Sequence, residues 1–152
     1  MNKKELTVSA IENGTVIDHI PSDMLFKILS IIGIEKMDTE VVIGNNFQSK
    51  KLGSKGIIKI ENKFPSIDDI NKISILAPNA VFNIIKDYKV VEKKKVQVPK
   101  TVDGIVKCVN PKCITNHENI TTHFEVINEN SVISLKCRYC EKITGHKNMQ
   151  VI

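Results

Sequence analysis

The residues of this 152-residue chain best suited to chemistry are its four cysteines, which occur as two close pairs. Cys108 and Cys113 lie in CVNPKC, Cys137 and Cys140 lie in CRYC, and 23 residues separate the two pairs. Two cysteine-bearing turns that are a loop apart can present four thiolates at the corners of a tetrahedron, the geometry of a closed structural zinc site. The spacing therefore predicts one structural Zn²⁺ per chain. The alternatives are disulfides or four ordinary buried thiols.

A closed tetrahedral site has no open position for water or substrate, so the metal would build structure and perform no reaction. A cysteine nucleophile would need a spare thiol, and the predicted site uses all four. His117, His123 and His146 are near the cysteines in sequence, and we interpret them as surface residues or residues behind the ligands. Phosphate-binding glycine loops and H-E-x-x-H are missing from the sequence. The chain is therefore predicted not to be an enzyme.

The composition favours a cytoplasmic protein. The sequence MNKKELTVSA at the start has no apolar stretch of the kind that signal peptides carry, and no apolar run approaches 18 residues. We therefore expect no membrane partner. In the reducing cytoplasm, metal binding is favoured over disulfide formation.

The net charge of +5 is concentrated in one short stretch, residues 89–100, which holds five lysines and one glutamate. With a single arginine, Arg138, and no tryptophan, the chain is poorly equipped for base readout or stacking. We expect no nucleic-acid partner. A zinc-ribbon nucleic-acid-binding protein with salt-dependent affinity remains the first alternative. A zinc enzyme, which would need an open coordination position, is the second.

The first part of the chain shows alternating strand and helix patterns. Residues 6–11 alternate as a strand does, Asn13-Gly14 indicates a turn, and a short apolar segment follows to residue 21. Ser22 is the predicted N-cap of a first helix that ends at Gly33. Its apolar stripe consists of Leu25, Ile28, Leu29 and Ile32.

The pattern then repeats. We predict strands at 40–44 and 57–62 around a lysine-bearing loop, and further strands at 80–85 and 88–91. Between them, Ser66 and Asp69 form the capping signal of a second helix, which ends before Pro78. Its predicted apolar stripe is Ile67, Ile70, Ile73 and Leu76.

This order predicts an α+β protein with a ferredoxin-like βαββαβ domain over residues 1–100, both helices on one sheet face and the other face free. A linker near 94–101 leads to a small all-β zinc-binding domain over 101–152, with β-rich runs at 104–108, 123–127 and 132–137. A segment this small buries little surface, so the metal would supply much of its stability.

Several polar residues interrupt the apolar strands of the first domain. Lysines on separate strands could converge on a polyphosphate, and a nearby aspartate would suit ribose hydroxyls or a base. Taken singly, each such residue is more often a solvated strand residue than a ligand contact. They are Asp18, His19, Lys59, Asn83 and Lys93.

Five sequence blocks together resemble the regulatory chains of aspartate carbamoyltransferase: GTVIDHIP (14–21), IKIEN (58–62), LAPNA-x-x-N (76–83), CVNPKC and LKCRYCEK (135–142). The resemblance covers nearly the whole chain. It implies a nucleotide-binding allosteric domain for CTP, UTP and ATP, and a zinc domain that docks on the catalytic chain. It also implies regulatory homodimers, three of which bridge two catalytic trimers. The catalytic chain, not this one, would carry the reaction of pyrimidine biosynthesis.

By position, the resemblance places nucleotide-binding roles on eleven residues. Ala10 and Ile11 would contact the base through their backbone. Around base and ribose would lie Val16, Asp18, Lys59, Val90 and the backbone of Tyr88; His19 and Lys93 would face the triphosphate, and Asn83 and Ile85 would line the pocket.

The resemblance also predicts contacts to the catalytic chain from Asn110, Glu141 and Lys142. Related chains often have a lysine just before the first strand that assists a second nucleotide. Here the aligned residue is Glu5, with Lys4 before it, which puts CTP/UTP synergy in doubt. The sign and size of each nucleotide effect are left open.

Overall fold

The computed structural model describes residues 11–152 and contains two antiparallel β regions. The predicted strand at 6–11 falls outside the described residues except for Ile11. The N-terminal region (residues 11–95) contains β1 (Gly14–Pro21), α1 (Leu25–Ile32), β2 (Val41–Ser49), β3 (Gly53–Glu61), α2 (Ile67–Leu76), β4 (Val81–Lys86) and β5 (Lys89–Lys95).

The five strands of this region form one sheet in the order β2-β3-β1-β4-β5. The order of its first four strands is that of a ferredoxin-like fold, with β5 added at the edge as the second strand of a hairpin. Helices α1 and α2 pack against each other, and their buried side chains join those of one sheet face. The predicted α+β fold class is confirmed.

Alternation along the strands decides which side chains meet the helices. Ile17 pairs with Ile58 on β3 and with Phe82 on β4, and all three side chains are almost fully buried. Successive residues of a strand point to opposite faces of the sheet. The residues directly before and after each of these three in its own strand therefore face away from the helices. The apolar core therefore lies on one face and leaves the other for polar side chains.

The helix ends agree only in part with the prediction. Ser66 accepts a hydrogen bond from the Asp69 backbone N–H at 3.1 Å, and Gly33 closes α1 in the left-handed conformation with φ 75°. Ser22 is not an N-cap, because residues Ser22–Met24 form a 3₁₀ turn without a side-chain cap and α1 begins at Leu25. Ile67, predicted to be in the apolar stripe of α2, is 69% exposed because it occupies the first turn, beyond the sheet-facing residues.

Two strand predictions are also corrected. The predicted loop at 45–56 is mostly a hairpin of β2 and β3, in which Phe47 pairs with Lys55 around a turn that ends at Gly53. Strand β5 begins after a turn that contains Tyr88 and continues to Lys95, inside the predicted linker. In both places the pairing of the backbone with a neighbouring strand outweighs the turn-forming and lysine-rich composition.

The C-terminal region (residues 101–152) is all-β. It contains β6 (Thr101–Asp103), β7 (Val106–Lys107), β8 (His123–Glu129), β9 (Val132–Cys137), β10 (Ile143–Thr144) and β11 (Gln150–Val151). Strands β10-β9-β8-β6 form a sheet, and β7 pairs with β11. Of the three predicted runs, two are β8 and β9, whereas 104–108 contributes only the short β7. Phe124, Ile133, Leu135 and Met149 are buried around the cysteines.

The buried residues of the two regions form one connected hydrophobic cluster. Domain limits at residues 100 and 101 stay a prediction. Among the helices that the structure describes, none has the length and apolar character needed to cross a membrane.

Candidate metal centre and ligand-binding sheet face

The four cysteines converge on one point in the C-terminal region. Their Sγ atoms lie within 4.8 Å of one another; Cys108 and Cys140 are 3.6 Å apart, and Cys113 and Cys137 are 3.7 Å apart. These distances are far longer than the roughly 2.05 Å of a disulfide bond, so the thiols are free. A metal–sulfur distance of about 2.3 Å corresponds to tetrahedral edges of about 3.8 Å. The cluster therefore fits a structural metal ion held by four thiolates.

The local electrostatics differ among these thiols. Burial raises the pKa of Cys108 to about 12 and also raises the pKa of Cys137, although backbone N–H groups oppose both shifts. At Cys140 burial acts in the same direction, but hydrogen bonds from the Asn110 side chain and the Lys142 backbone outweigh it and hold the pKa at about 7. Because metals bind thiolates, an incoming cation must displace the protons of the buried thiols.

Two residues that the sequence interpretation missed hold the first cysteine turn in shape. The Asn116 side-chain amide donates to the carbonyl oxygens of Cys108 and Asn110, at 3.0 and 2.7 Å. The Thr115 hydroxyl donates to the Cys113 sulfur at 3.2 Å. The side-chain chemistry of Asn and Thr just after CVNPKC was the available signal, but their partners depend on the fold of the loop.

The three histidines near the cysteines lie outside the thiol cluster. His123 Nδ1 is 2.7 Å from Asp103 Oδ1, and His146 Nε2 is 2.9 Å from the Leu76 carbonyl oxygen. His117 is exposed. The interpretation of these residues as surface residues or residues behind the ligands agrees with these positions.

The residues predicted to touch the catalytic chain lie on the two cysteine turns. Glu141 and Lys142 are exposed directly after Cys140. Asn110 is half-buried, and its side-chain oxygen accepts from the Lys112 backbone N–H at 3.0 Å. Exposed apolar side chains occur on the same turns and beside them: Val109, Ile114, Tyr139 and Ile143.

The second candidate site is the sheet face that points away from the helices. Val16 pairs with Lys59 on β3 and with Asn83 on β4, and Asn83 pairs in turn with Lys93 on β5. Directly paired residues of antiparallel strands project from the same face. These four predicted residues therefore form one cross-strand row, which we call the polar row. The sequence could not show it because the strand register was unknown.

A β-bulge brings a further residue to the face of the polar row. Ile85 pairs with Val90, whereas Ile84 pairs with Glu92, so Val91 is the extra residue of β5. Val90 and Lys93 are three positions apart and would otherwise project from opposite faces. Ile85 lies on the face of Asn83 because the two are two residues apart on β4, and the bulge places its partner Val90 on this face together with Lys93.

Asp18 continues this face on β1 and has a cationic partner that the sequence interpretation missed. The Lys55 ammonium lies 2.9 Å from Asp18 Oδ1 and 3.2 Å from Oδ2. His19 adopts φ 60° at a second bulge, and its backbone N–H donates to Asp18 Oδ1 at 2.6 Å. The sequence predicts a loop at Lys55, and therefore gives no indication of its contact with Asp18.

Lys59 is the most buried member of the polar row, with only 5% of its surface exposed. Burial lowers the pKa of its ammonium group, while the carboxylate of Glu40 acts in the opposite direction. A buried ammonium without full compensation gains much from a bound anion. The burial of the Lys59 ammonium therefore favours the binding of an anion at the polar row.

Of the remaining predicted ligand residues, Ile11 and Tyr88 lie in the described part of the chain, next to the ends of the strands. Ile11 is buried, and the Tyr88 backbone N–H donates to the Glu12 carbonyl at 2.9 Å. Ala10 lies outside the described residues, as do Lys4 and Glu5. Gly14, between Ile11 and the polar row, has φ 146°, and a Cβ there would come within 2.1 Å of the Ile60 carbonyl oxygen.

Comparison with known proteins gives matches over both regions. Residues 6–97 match the family profile described as aspartate carbamoyltransferase regulatory chain, allosteric domain. Residues 100–150 match the profile described as aspartate carbamoyltransferase regulatory chain, metal binding domain.

Curated relatives with the name aspartate carbamoyltransferase regulatory chain match nearly end to end. The chain is 55% identical to the protein from Bacteroides thetaiotaomicron over 99% of its own length and 98% of the relative. It is 52% identical to that from Phocaeicola vulgatus, over 99% and 97% respectively. A third, from Pyrococcus horikoshii, is 51% identical over 91% of each chain.

Proposed function

The chain belongs to the family of aspartate carbamoyltransferase regulatory chains, and we propose that it senses CTP, UTP and ATP and passes their effect to a catalytic chain in the cytoplasm. Family membership makes it a regulatory subunit with an allosteric and a metal-binding domain. The catalytic chain of the enzyme is its partner. The identities of the nucleotides and the route of assembly are the parts that we propose.

The observation that carries the nucleotide proposal is the polar row. Two ammonium groups, Lys59 and Lys93, flank Val16 and Asn83 on the sheet face that points away from the helices. Ammonium groups bind phosphate oxygens as point charges, and a half-buried valine can pack against a base. Asp18, which pairs with Lys55, would accept hydrogen bonds from ribose hydroxyls or a base amine. Ala10, Ile11, His19, Ile85, Tyr88 and Val90 complete the proposed site.

We propose that the metal is one structural Zn²⁺ per chain. Four thiolates at near-tetrahedral separations are the ligand set that zinc prefers in structural sites. The metal would hold the two cysteine turns together. Asn110, Glu141, Lys142 and the exposed apolar side chains on these turns would then form the surface that docks on the catalytic chain.

The two edge strands of the large sheet differ in a way that supports a homodimer. Strand β5 carries lysines at 89, 93, 94 and 95, whereas β2, VVIGNNFQS, has no charged residue. Charged side chains disfavour the pairing of an edge strand with another chain, whereas an uncharged edge strand can form such a pair. We propose that two copies pair along β2, and that three such dimers bridge two catalytic trimers.

Regulation in this proposal is a population shift. A nucleotide can bias the catalytic assembly only as far as its affinity differs between two states of the holoenzyme. CTP and ATP would share the sheet face and differ in their contacts to the base. Because Glu5 stands where related chains often have a lysine, assistance of CTP by UTP is not part of this proposal.

The test combines assembly with nucleotide titration. The chain is purified with and without the catalytic chain, the mass of the complex is measured by light scattering, and CTP and ATP are titrated by calorimetry. We expect a large complex and saturable nucleotide binding that shifts the aspartate saturation curve. If the chain forms no complex with the catalytic chain, or binds DNA or RNA with a steep salt dependence, the proposal is contradicted.

A further inference from the structure

The short segment at residues 146–152, which we call the bridging segment, contacts both regions of the molecule. Gln150 and Val151 pair with Lys107 and Val106 on β7, and the Ile152 backbone N–H donates to the Ile105 carbonyl at 2.8 Å. Strand β7 leads directly into Cys108, the first thiol of the metal centre. The bridging segment is thus joined to the first cysteine turn by backbone hydrogen bonds.

The same segment is bonded to both helices of the N-terminal region. The Lys27 ammonium, on α1, donates to the Met149 carbonyl oxygen at 2.8 Å. His146 Nε2 lies 2.9 Å from the carbonyl oxygen of Leu76, the last residue of α2. A carbonyl oxygen can only accept, so Nε2 carries the proton in this contact.

These two hydrogen bonds are supported by packing. Met149, whose carbonyl accepts from Lys27, has no exposed side-chain surface and joins the common hydrophobic cluster, and α1 packs against β11. Leu76 and Ile28 belong to the same cluster. A displacement of either helix therefore reaches the bridging segment through one directional hydrogen bond, together with the packing around buried Met149.

From this geometry we infer that Lys27 and His146 are positioning residues that couple the nucleotide-binding sheet to the metal centre. The helices cover one sheet face and the polar row occupies the other, so a ligand that shifts the strands shifts the helices behind them. Lys27 and His146 fix the bridging segment to those helices, and β7 transmits its position to Cys108. This inference rests on the proposed function and names the residues through which regulation passes.

Two arms test the inference, one on the chain alone and one on the holoenzyme. The double variant Lys27→Met/His146→Phe keeps the size of both side chains and removes both donors. His146→Gln keeps an N–H donor near the Nε2 position, and Lys36→Met removes a lysine at an exposed position outside the contact. The last two variants serve as matched controls.

In the first arm, amide hydrogen exchange of α1 and the end of α2 is measured in the metal-loaded chain and after chelation. Chelation should increase exchange at these helices in the parent chain and both controls. In the double variant, exchange should be high already and change less than about twofold on chelation, since the connection is lost. An equal response in parent and double variant would overturn the inference. This arm needs neither nucleotide nor catalytic chain.

In the second arm, the shift in half-saturating aspartate caused by CTP or ATP is measured in the reconstituted holoenzyme. Allosteric couplings commonly amount to about 5- to 150-fold. We expect the shift to fall below about twofold in the double variant and to persist in both controls, while nucleotide affinity and holoenzyme mass stay unchanged. A full shift in the double variant, or parallel loss of binding and assembly, overturns the inference. A parent chain without nucleotide binding or assembly would instead contradict the proposed function, and the first arm would still decide the role of these residues.

Discussion

The N-terminal and C-terminal regions both contain antiparallel sheets, but they differ in where their chemically active side chains lie. The N-terminal region buries large aliphatic side chains between five strands and two helices, and its proposed ligand-binding residues lie on the opposite sheet face. The C-terminal region has shorter strands and places its chemistry in the interior, where three of the four cysteines are buried. In our proposal the first region would fold without its ligand, whereas the second would include a metal ion as part of its core.

The difference explains which kind of regulation each region can support. In our proposal, nucleotides with different bases would bind to the polar row and dissociate again, because the fold of the sheet would not depend on them. A closed tetrathiolate site would instead hold the proposed docking surface in one conformation. A sensor therefore suits the first region and a rigid connector the second.

The largest expected effect is the loss of the metal ligand set. Cys113→Ala should leave residues 101–152 without a stable fold, because the apparent free energy of structural zinc binding is about 10–16 kcal/mol in small zinc-dependent folds. Metal content by mass spectrometry should fall to background, and assembly with the catalytic chain should be lost. His117→Ala, outside the thiol cluster, should retain both. A Cys113→Ala chain that still assembles would show that the C-terminal region does not depend on its metal.

Acidity should weaken metal binding in the C-terminal region without a comparable effect on the fold of the N-terminal region. Burial raises the pKa of Cys108 to about 12 and raises that of Cys137, so both thiols are protonated near neutrality and must lose a proton to the metal. Two released protons correspond to an affinity gain of about 100-fold per pH unit of increase. Proton release on zinc addition, measured with a pH indicator, checks this. Release of fewer than one proton per metal would contradict the assigned protonation states.

In the polar row, removal of one ammonium group should weaken ligand binding without changing assembly. Lys59→Ala should weaken CTP and ATP binding about 10- to 100-fold, the usual range for loss of a charged hydrogen bond, and leave assembly intact. Lys94→Ala is the control, since Lys94 pairs with Phe82 and so projects from the face opposite the polar row. Calorimetry on both variants separates a local role from a general effect of positive charge. Equal losses in the two variants would argue against a site on the polar row.

A smaller effect is expected where a side chain shapes the first cysteine turn. Asn116→Asp has nearly the same shape but replaces both amide donors with acceptors, which face the carbonyls of Cys108 and Asn110. The expected loss of stability is about 1–3 kcal/mol, together with faster metal release to a chelator. Asn119→Asp introduces the same charge at an exposed position nearby. Identical metal-release rates in the two variants would mean that the Asn116 hydrogen bonds do not support the site.

Much of the N-terminal fold was predictable because its local signals agree with one another. The stripe from Leu25 to Ile32, the stop at Gly33 and the cap at Ser66 depend on interactions within a few residues. The convergence of the four cysteines on one cluster was predictable for a related reason, since the thiol group itself is the ligand of the predicted metal ion. The resemblance to regulatory chains supplied the residues proposed to bind nucleotides, which periodicity alone did not distinguish from solvated strand residues.

What could not be predicted depends on pairing between distant strands. The contact of Lys55 with Asp18 requires the register of β1 and β3, and the approach of Val90 to Lys93 requires a bulge that the composition of β5 does not indicate. The bonds of Lys27 and His146 to backbone carbonyls join elements 122 and 70 residues apart. Such contacts follow from topology, whereas sequence patterns report mainly on neighbours.

The smallest expected effect tests the one helix cap that was predicted wrongly against the one that was predicted correctly. Ser66→Ala removes an N-cap that the structure contains and should destabilise the chain by about 1 kcal/mol. Ser22→Ala removes a hydroxyl that is buried without a hydrogen-bond partner among the residues described, so its cost should be within about 0.5 kcal/mol of zero or even favourable. Chemical denaturation of both variants, with the metal kept bound, measures the difference. If Ser22→Ala lowers the free energy of unfolding as much as Ser66→Ala does, Ser22 caps α1. The 3₁₀ turn before Leu25 would then not determine the stability of this end of the helix.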